Sequence, residues 1–206
     1  MPAKQPIFIT GIGTGIGKTV ISAIITQKLK ADYWKPVQSG DLDDSDTMKV
    51  QKLVSNETTK FHPEAYRLTQ PFSPHKSAAI DNVTIDLQHI VPPITDNHLV
   101  IEGAGGLMVP LNDNCLMIDL IKQLNPKVIL VSQHYLGSIN HTLLSLHTLK
   151  TYNIEVMGIV FNGPEDIYSK SYILDYTGLP DLGTVPTCKN LDRKFIVDAG
   201  ALITLQ

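Results

Sequence analysis

The sequence predicts a three-layer α/β fold, with a mostly parallel central sheet and helices on both faces. Three observations carry this. Short apolar runs alternate with stretches whose apolar residues recur at helical spacing. Single helices between strands imply βαβ crossovers, which build a parallel sheet covered on both sides. The notable polar clusters, at 11–19, 35–40, 102–106 and Asn162, each follow the end of a predicted strand, where such sheets bind ligands.

In chain order, residues 7–10 form a buried strand that ends in glycines, and 18–31 form a helix with Val20, Ile21, Ile24, Ile25 and Leu29 along one side. Residues 33–37 are expected to be the second strand. Ser45 and Asp46 can cap a helix running to about Ser55. Residues 61–93 are less regular and are expected to hold connections and one short helix. Residues 98–101 and 127–131 read as buried parallel strands. Residues 138–152 repeat apolar side chains at Ile139, Leu143, Leu146 and Leu149, so they form a helix, and 156–161 form another strand.

The bulk composition narrows the function classes. With 43% hydrophobic and 18% charged residues the chain is ordinary for a globular protein, and its 206 residues suit one domain over 1–206. No repeat, low-complexity tract or linker is visible. A net charge of −3 gives no reason to expect a nucleic-acid or membrane partner. Cys115 and Cys188 are the two cysteines, and neither lies in a metal or disulfide pattern. No apolar run approaches the roughly 20 residues of a membrane span, and the apolar stretch at 7–9 is too short for a signal peptide. A reducing, cytoplasmic setting is expected. The seven histidines lack ligand spacing, His141 and His147 fall off the apolar face of their helix, and His75 sits in a turn signal.

The segment Gly11-Ile12-Gly13-Thr14-Gly15-Ile16-Gly17-Lys18-Thr19 lies between a strand and a helix, the context a phosphate-binding P-loop requires. Such glycines aim successive backbone N–H groups at an anion, and the helix start adds partial positive charge. Lys18 would reach the terminal phosphates of a nucleotide, and the Thr19 hydroxyl would ligate Mg²⁺. Five residues separate Gly11 from Gly17, one more than the usual pattern. No G-x-G-x-x-G register exists, which disfavours a dinucleotide site. A P-loop NTPase-like fold follows.

Four further clusters carry chemistry. Lys35-Pro-Val-Gln-Ser39-Gly keeps Lys35 extended, so a compact cation can stabilise charge that develops in phosphoryl transfer. Asp43, Asp44 and Asp46 either start a helix or contact Mg²⁺; since Mg²⁺ takes only one or two carboxylates, at most one of the three serves it. Glu102 ends a buried strand, as a Walker-B acid does, and glycines including Gly105 follow. Leu136-Gly137-Ser138-Ile-Asn140 opens a helix, with Ser138 the expected cap, and such a start can also receive a carboxylate.

Taken together, the long P-loop, Lys-Pro-Val-x-Ser-Gly, the Ser-Asp at 45–46, Glu-Gly-Ala-Gly-Gly and Leu-Gly-Ser-Ile-Asn closely resemble the dethiobiotin synthetase family. The resemblance runs from about residue 6 to 190 and includes 71–75 and 183–186. The five-residue gap is the form that family uses. The resemblance implies ring closure of 7,8-diaminononanoate with CO₂ and ATP to dethiobiotin, through a carbamate and a carbamic–phosphoric anhydride. It implies ATP and Mg²⁺ as the bound reactant and metal. Gly13, Thr14, Gly15, Ile16, Gly17, Lys18, Thr19 and Val20 would hold the nucleotide, with Asn162 facing adenine and Pro186, Thr187 and Cys188 opposite. Thr19, Asp46 and Glu102 would be metal partners. Lys18, Lys35 and Ser39 would be catalytic, and Thr14, Lys35, Ser39 and Gly105 would meet the substrate. The family is homodimeric, so Gly137, Ser138 and Asn140 of a second subunit would receive the substrate's carboxylate. The chain departs from the family at Gly13 and Gly15, where members often carry Asp and a larger residue.

Two other readings differ in consequence. An amidoligase of the cobyrinate-synthase type needs a glutaminase domain for which this chain has no room. A nucleotide switch of the partition or cell-division type often carries an early loop lysine, whereas residues 11–17 are all uncharged.

Overall fold

The strand before the glycine loop, β1 (Ile7–Gly11), is buried along its length and lies in the middle of a seven-stranded sheet. The computed structural model describes residues 4–205. The further elements are α1 (Lys18–Leu29), β2 (Asp32–Trp34), β3 (Val37–Ser39), α2 (Asp46–Leu53), β4 (Phe61–His62), β5 (Tyr66–Leu68), α3 (Pro74–Ile80), β6 (Leu99–Glu102), α4 (Met117–Leu124), β7 (Lys127–Gln133), α5 (Ser138–Thr151), β8 (Val156–Asn162), α6 (Ile167–Thr177), β9 (Asp181–Val185) and α7 (Arg193–Gly200). The sheet order is β4-β2-β6-β1-β7-β8-β9, parallel throughout, and β3 pairs with β5 in a separate parallel ribbon. The expected three-layer, mostly parallel architecture is thus observed.

Alternate residues of each strand serve opposite faces. Phe8, Ile101, Leu130 and Phe161 pack with Ile118, Ile121, Leu149 and Ile173 from α4, α5 and α6. Ile9, Val100, Val131 and Val160 pack with Ile21, Ile24 and Ile25 of α1, Val50 of α2 and Ile196 of α7. Both faces are covered, so the strands read as continuous apolar runs rather than alternating ones. Each such isoleucine buried contributes about 1.5–3 kcal/mol of transfer free energy. No helix among the described residues is long and apolar enough to cross a membrane.

The structure corrects several expectations. The second strand is not continuous over 33–37. It ends at Trp34, Lys35 and Pro36 leave the sheet, and β3 pairs elsewhere. Pro36 has no N–H to give a ladder, and its carbonyl accepts from Tyr66 N instead, at 3.0 Å. Residues 61–93 contain β4 and β5 besides the short helix α3; strands of two and three residues are too short to show a period. The sixth strand spans Leu99–Glu102, one residue later than expected, which brings Glu102 into the sheet opposite Ile9. Ser138 is not the cap of α5: Gly137 holds that position in a left-handed conformation (φ 101°), without a side-chain cap.

Candidate functional site

Because β1 lies between β6 and β7, the residues leaving these strands converge at one rim of the sheet. A cleft of about 590 Å³ opens there, lined by Thr14, Gly15, Gly17, Lys18, Thr19, Lys35, Gln38, Ser39, Asp41, Asp46, Glu102, Gly105 and residues 71–74. The P-loop, the Lys-Pro segment, the capping aspartate and the strand-ending glutamate, separated along the chain, thus share one cavity. A larger groove of about 850 Å³ runs beside α5 and the start of β8. It has no glycine loop and no paired carboxylates, so the smaller cleft is the candidate site.

The loop is shaped by its packing. Gly17 caps α1 with φ 92°, and no acidic residue occupies the helix's first turn, which leaves its N–H groups and partial positive charge available to an anion. Asn162 Nδ2 donates to Ile16 O at 2.9 Å. A Cβ on residue 17 would come within 2.1 Å of that amide, so only glycine fits. Lys18 is buried and donates to Gly13 O at 2.8 Å. Burial lowers its pKa from 10.5 to about 8; Glu102 offsets part of that shift, and Lys35 adds to it.

Opposite the loop, Lys35 Nζ is held between two carboxylates. It pairs with Asp46 and, at 3.1 Å, with Glu102 Oε1. Burial alone would lower the lysine's pKa, but Glu102 and then Asp46 outweigh it and hold Lys35 above its ordinary value. Burial would likewise raise Asp46, and Lys35 outweighs it, holding that carboxyl low. Ser45 caps α2 by accepting from Met48 N, as expected, and so fixes where Asp46 starts the helix. Asp46 lines the cleft; Asp43 and Asp44 do not. Thr19 Oγ1 donates to Glu102 Oε1 at 2.8 Å.

Two supporting residues escape a reading of the sequence. Tyr33 is wholly buried and donates from its hydroxyl to Glu102 Oε2 at 2.9 Å. Burial and then the Glu102 charge push the phenol well above its ordinary pKa, so it keeps its proton. Gln38 donates to Gly40 O at 3.0 Å and accepts from Asp46 N at 3.3 Å, tying β3 to the start of α2. Strand placement alone could have put Tyr33 in the core, but nothing in its neighbours signals a carboxylate partner.

The remaining predicted residues are scattered around the cleft and beyond it. Ile16 is buried behind the loop and Val20 is half-buried in the first turn of α1. Gly163 N donates to Val185 O at 2.8 Å, which sets the end of β9 beside Asn162; Pro186, Thr187 and Cys188 follow, exposed. Gly137, Ser138 and Asn140 do not line the cleft of their own chain: Gly137 borders a separate hollow with His134 and Asp166, and Asn140 borders the groove beside α5. His141 and His147 are exposed, as expected.

Fold and site together define a P-loop protein of the parallel α/β class. The same architecture occurs in a ParA family ATPase from Chlorobium tepidum, at TM-score 0.59 and 14% identity, covering 98% of this chain and 99% of that one. It also occurs in the cell division ATPase MinD of Pyrococcus furiosus, at TM-score 0.60 and 11% identity over 96% and 98% of the two chains. At those identities the likeness is one of fold alone. The AAA domain family model matches residues 5–194. The ATP-dependent dethiobiotin synthetase BioD of Christiangramia forsetii is 57% identical over 158 residues, 77% of this chain and 76% of the relative. That of Cytophaga hutchinsonii is 53% identical over 172 residues, 83% of each. The chain belongs to the ATP-dependent dethiobiotin synthetase family.

Proposed function

We propose that this ATP-dependent ligase closes the ureido ring of dethiobiotin from 7,8-diaminononanoate, CO₂ and ATP, releasing ADP and phosphate. One amine adds to CO₂ and, losing a proton to water, becomes a carbamate. A carbamate oxygen takes the γ-phosphoryl group, and the second amine attacks the carbonyl carbon, expelling phosphate and giving up a proton. The observation that carries this reading is the placement of Lys35, a firmly protonated cation, across one cleft from the P-loop lysine. Activation by phosphoryl transfer asks for positioned cations and dryness rather than a nucleophile of the protein's own.

The residues divide the work. Backbone amides at 13–19 and Lys18 hold the phosphates, with Asn162 and residues 186–188 on the base side. Thr19, Asp46 and Glu102 would hold Mg²⁺, and their all-oxygen donor set, with only two carboxylates, suits that ion. When bound, it supplies charge neutralisation on the phosphates. Lys35 stabilises the carbamate and the anhydride oxygens. Ser39 Oγ is buried with no partner among the described residues, which leaves it free for the amine or carbamate. Thr14 and Gly105 line the same wall. The chain's own start of α5, Gly137–Asn140, stands apart from the cleft, and the neighbouring Leu136 is fully exposed. This supports a homodimer in which a second copy brings that helix start to the substrate's carboxylate.

The test measures ADP release with Mg-ATP and bicarbonate, with and without the diamine. Strong dependence on the diamine is expected. Hydrolysis that ignores the diamine and responds to DNA or lipid would favour a nucleotide switch.

The lowered pKa of Lys18 adds a pH signature. A bound phosphate favours the ammonium form and raises that pKa again. Above about pH 8, until the lysine of the complex itself titrates, the free protein therefore carries fewer protons than the complex. ADP binding without divalent ions should take up as much as one proton there and weaken by up to about tenfold per pH unit. Below about pH 7 both effects should vanish. Calorimetry in buffers of different ionisation enthalpy reads the uptake directly.

A further inference from the structure

We infer that Asp41 is a substrate-recognition residue that holds the ammonium group of the diamine; this rests on the proposed ring-closure reading. The cleft contains three carboxylates: Glu102, Asp46 and Asp41. The first two are committed. Glu102 receives Thr19, Tyr33 and Lys35, and Asp46 pairs with Lys35 and approaches Lys49. With Lys18 and Lys35 counted against them, these four charges sum to zero. Asp41 is the charge left over. It is exposed at the mouth of the cleft, and the nearby lysines, Lys49 and Lys52, pair with Asp44 and Asp46 instead.

The backbone fixes where this carboxylate stands. Gly40 has φ 71°, and a Cβ there would lie 2.6 Å from Pro71. Gly40 N donates to Leu68 O at 2.8 Å. Asp41 itself takes φ 51°, and its carbonyl accepts from Asp44 N at 3.0 Å, closing a tight turn. The turn begins two residues after Ser39, whose hydroxyl awaits a partner. Asp41 is thus carried on the wall that meets the substrate.

The chemistry of a 1,2-diamine calls for such a group. Adjacent ammonium groups repel, so near neutral pH one amine holds a proton and its neighbour is free. The free amine adds to CO₂. The protonated one enters a cleft already holding two lysine cations and needs a counter-charge to stay beside the carbamate. Asp41 supplies it by accepting N–H bonds from the ammonium. Before that nitrogen attacks, the ammonium gives up one proton to water; as the free amine bonds to the carbonyl carbon it loses a second, which leaves with the expelled phosphate.

Asp41→Asn tests the assignment against Asp43→Asn, a neighbour of equal charge outside the cleft. The Asp41 variant should raise KM for the diamine by about tenfold or more. It should leave kcat within about threefold and ADP affinity unchanged. Asp41→Glu should recover part of the loss, and Asp43→Asn should keep the wild-type KM. A wild-type KM in Asp41→Asn overturns the assignment, as does an equal rise in both asparagine variants, which would mark a bulk charge effect. Wild-type turnover that does not depend on the diamine overturns the ring-closure reading and this inference with it.

Discussion

Replacing Lys35 with Gln is expected to lower kcat by about 10²–10³, the loss typical when one preorganised donor to a developing charge is removed. ADP affinity should change by less than about threefold, because the proposed reading gives the phosphates that ADP retains to Lys18 and the loop amides and not to Lys35. Steady-state kinetics at saturating substrates and equilibrium binding measure the two separately. The variant should also be less stable by about 3–5 kcal/mol, since Glu102 is left buried beside Asp46 without its cation. Denaturant unfolding reads that term. Should nucleotide affinity fall as far as the rate, Lys35 would be a binding residue and its role at the carbamate would be wrong.

The second large effect runs in opposite directions for binding and stability. Lys18→Met should weaken ADP by about 2–5 kcal/mol, since a charge-assisted contact to phosphate is lost. The same variant should be more stable in the absence of nucleotide. Burial lowers the Lys18 pKa from 10.5 to about 8, so holding that ammonium in the folded protein costs about 3 kcal/mol near pH 7. Methionine of similar length removes the cost and forfeits the bond to Gly13 O, leaving a net gain of about 1–2 kcal/mol. The expected record is a higher Tm for the variant and little further rise on adding ADP. A lower Tm would show that the lysine stabilises the empty loop.

The sequence made the layered fold legible because both faces of the sheet are buried, and the long strands therefore appear as unbroken apolar runs. What it hid was short or weakly amphipathic. β4 and β5 are too brief to carry a period, and α6 buries only Ile173 among its described residues. The break after Trp34 was signalled by Pro36, yet the apolar Val37 beyond it looked like the same strand. In the site, the charged groups were legible because each ends a strand or starts a helix. Tyr33 and Gln38 were not, because a phenol and an amide in apolar company look like core until their partners are placed in space. Asp41 stood unremarked beside more obvious acids, and only the pairing of Asp46 and Glu102 with Lys35 singles it out.

The bond from Asn162 to Ile16 O has a mechanical meaning for how the two ends of a nucleotide are sensed. One carboxamide at the tip of β8 braces the glycine loop from behind while standing on the side assigned to the base. The NH₂ has two hydrogens, so a base could engage the amide oxygen or the second N–H and leave the brace shut, whereas one that drew away the N–H given to Ile16 O would unlatch it. On the proposed placement of Asn162, base recognition and the rigidity of the triphosphate seat share one side chain.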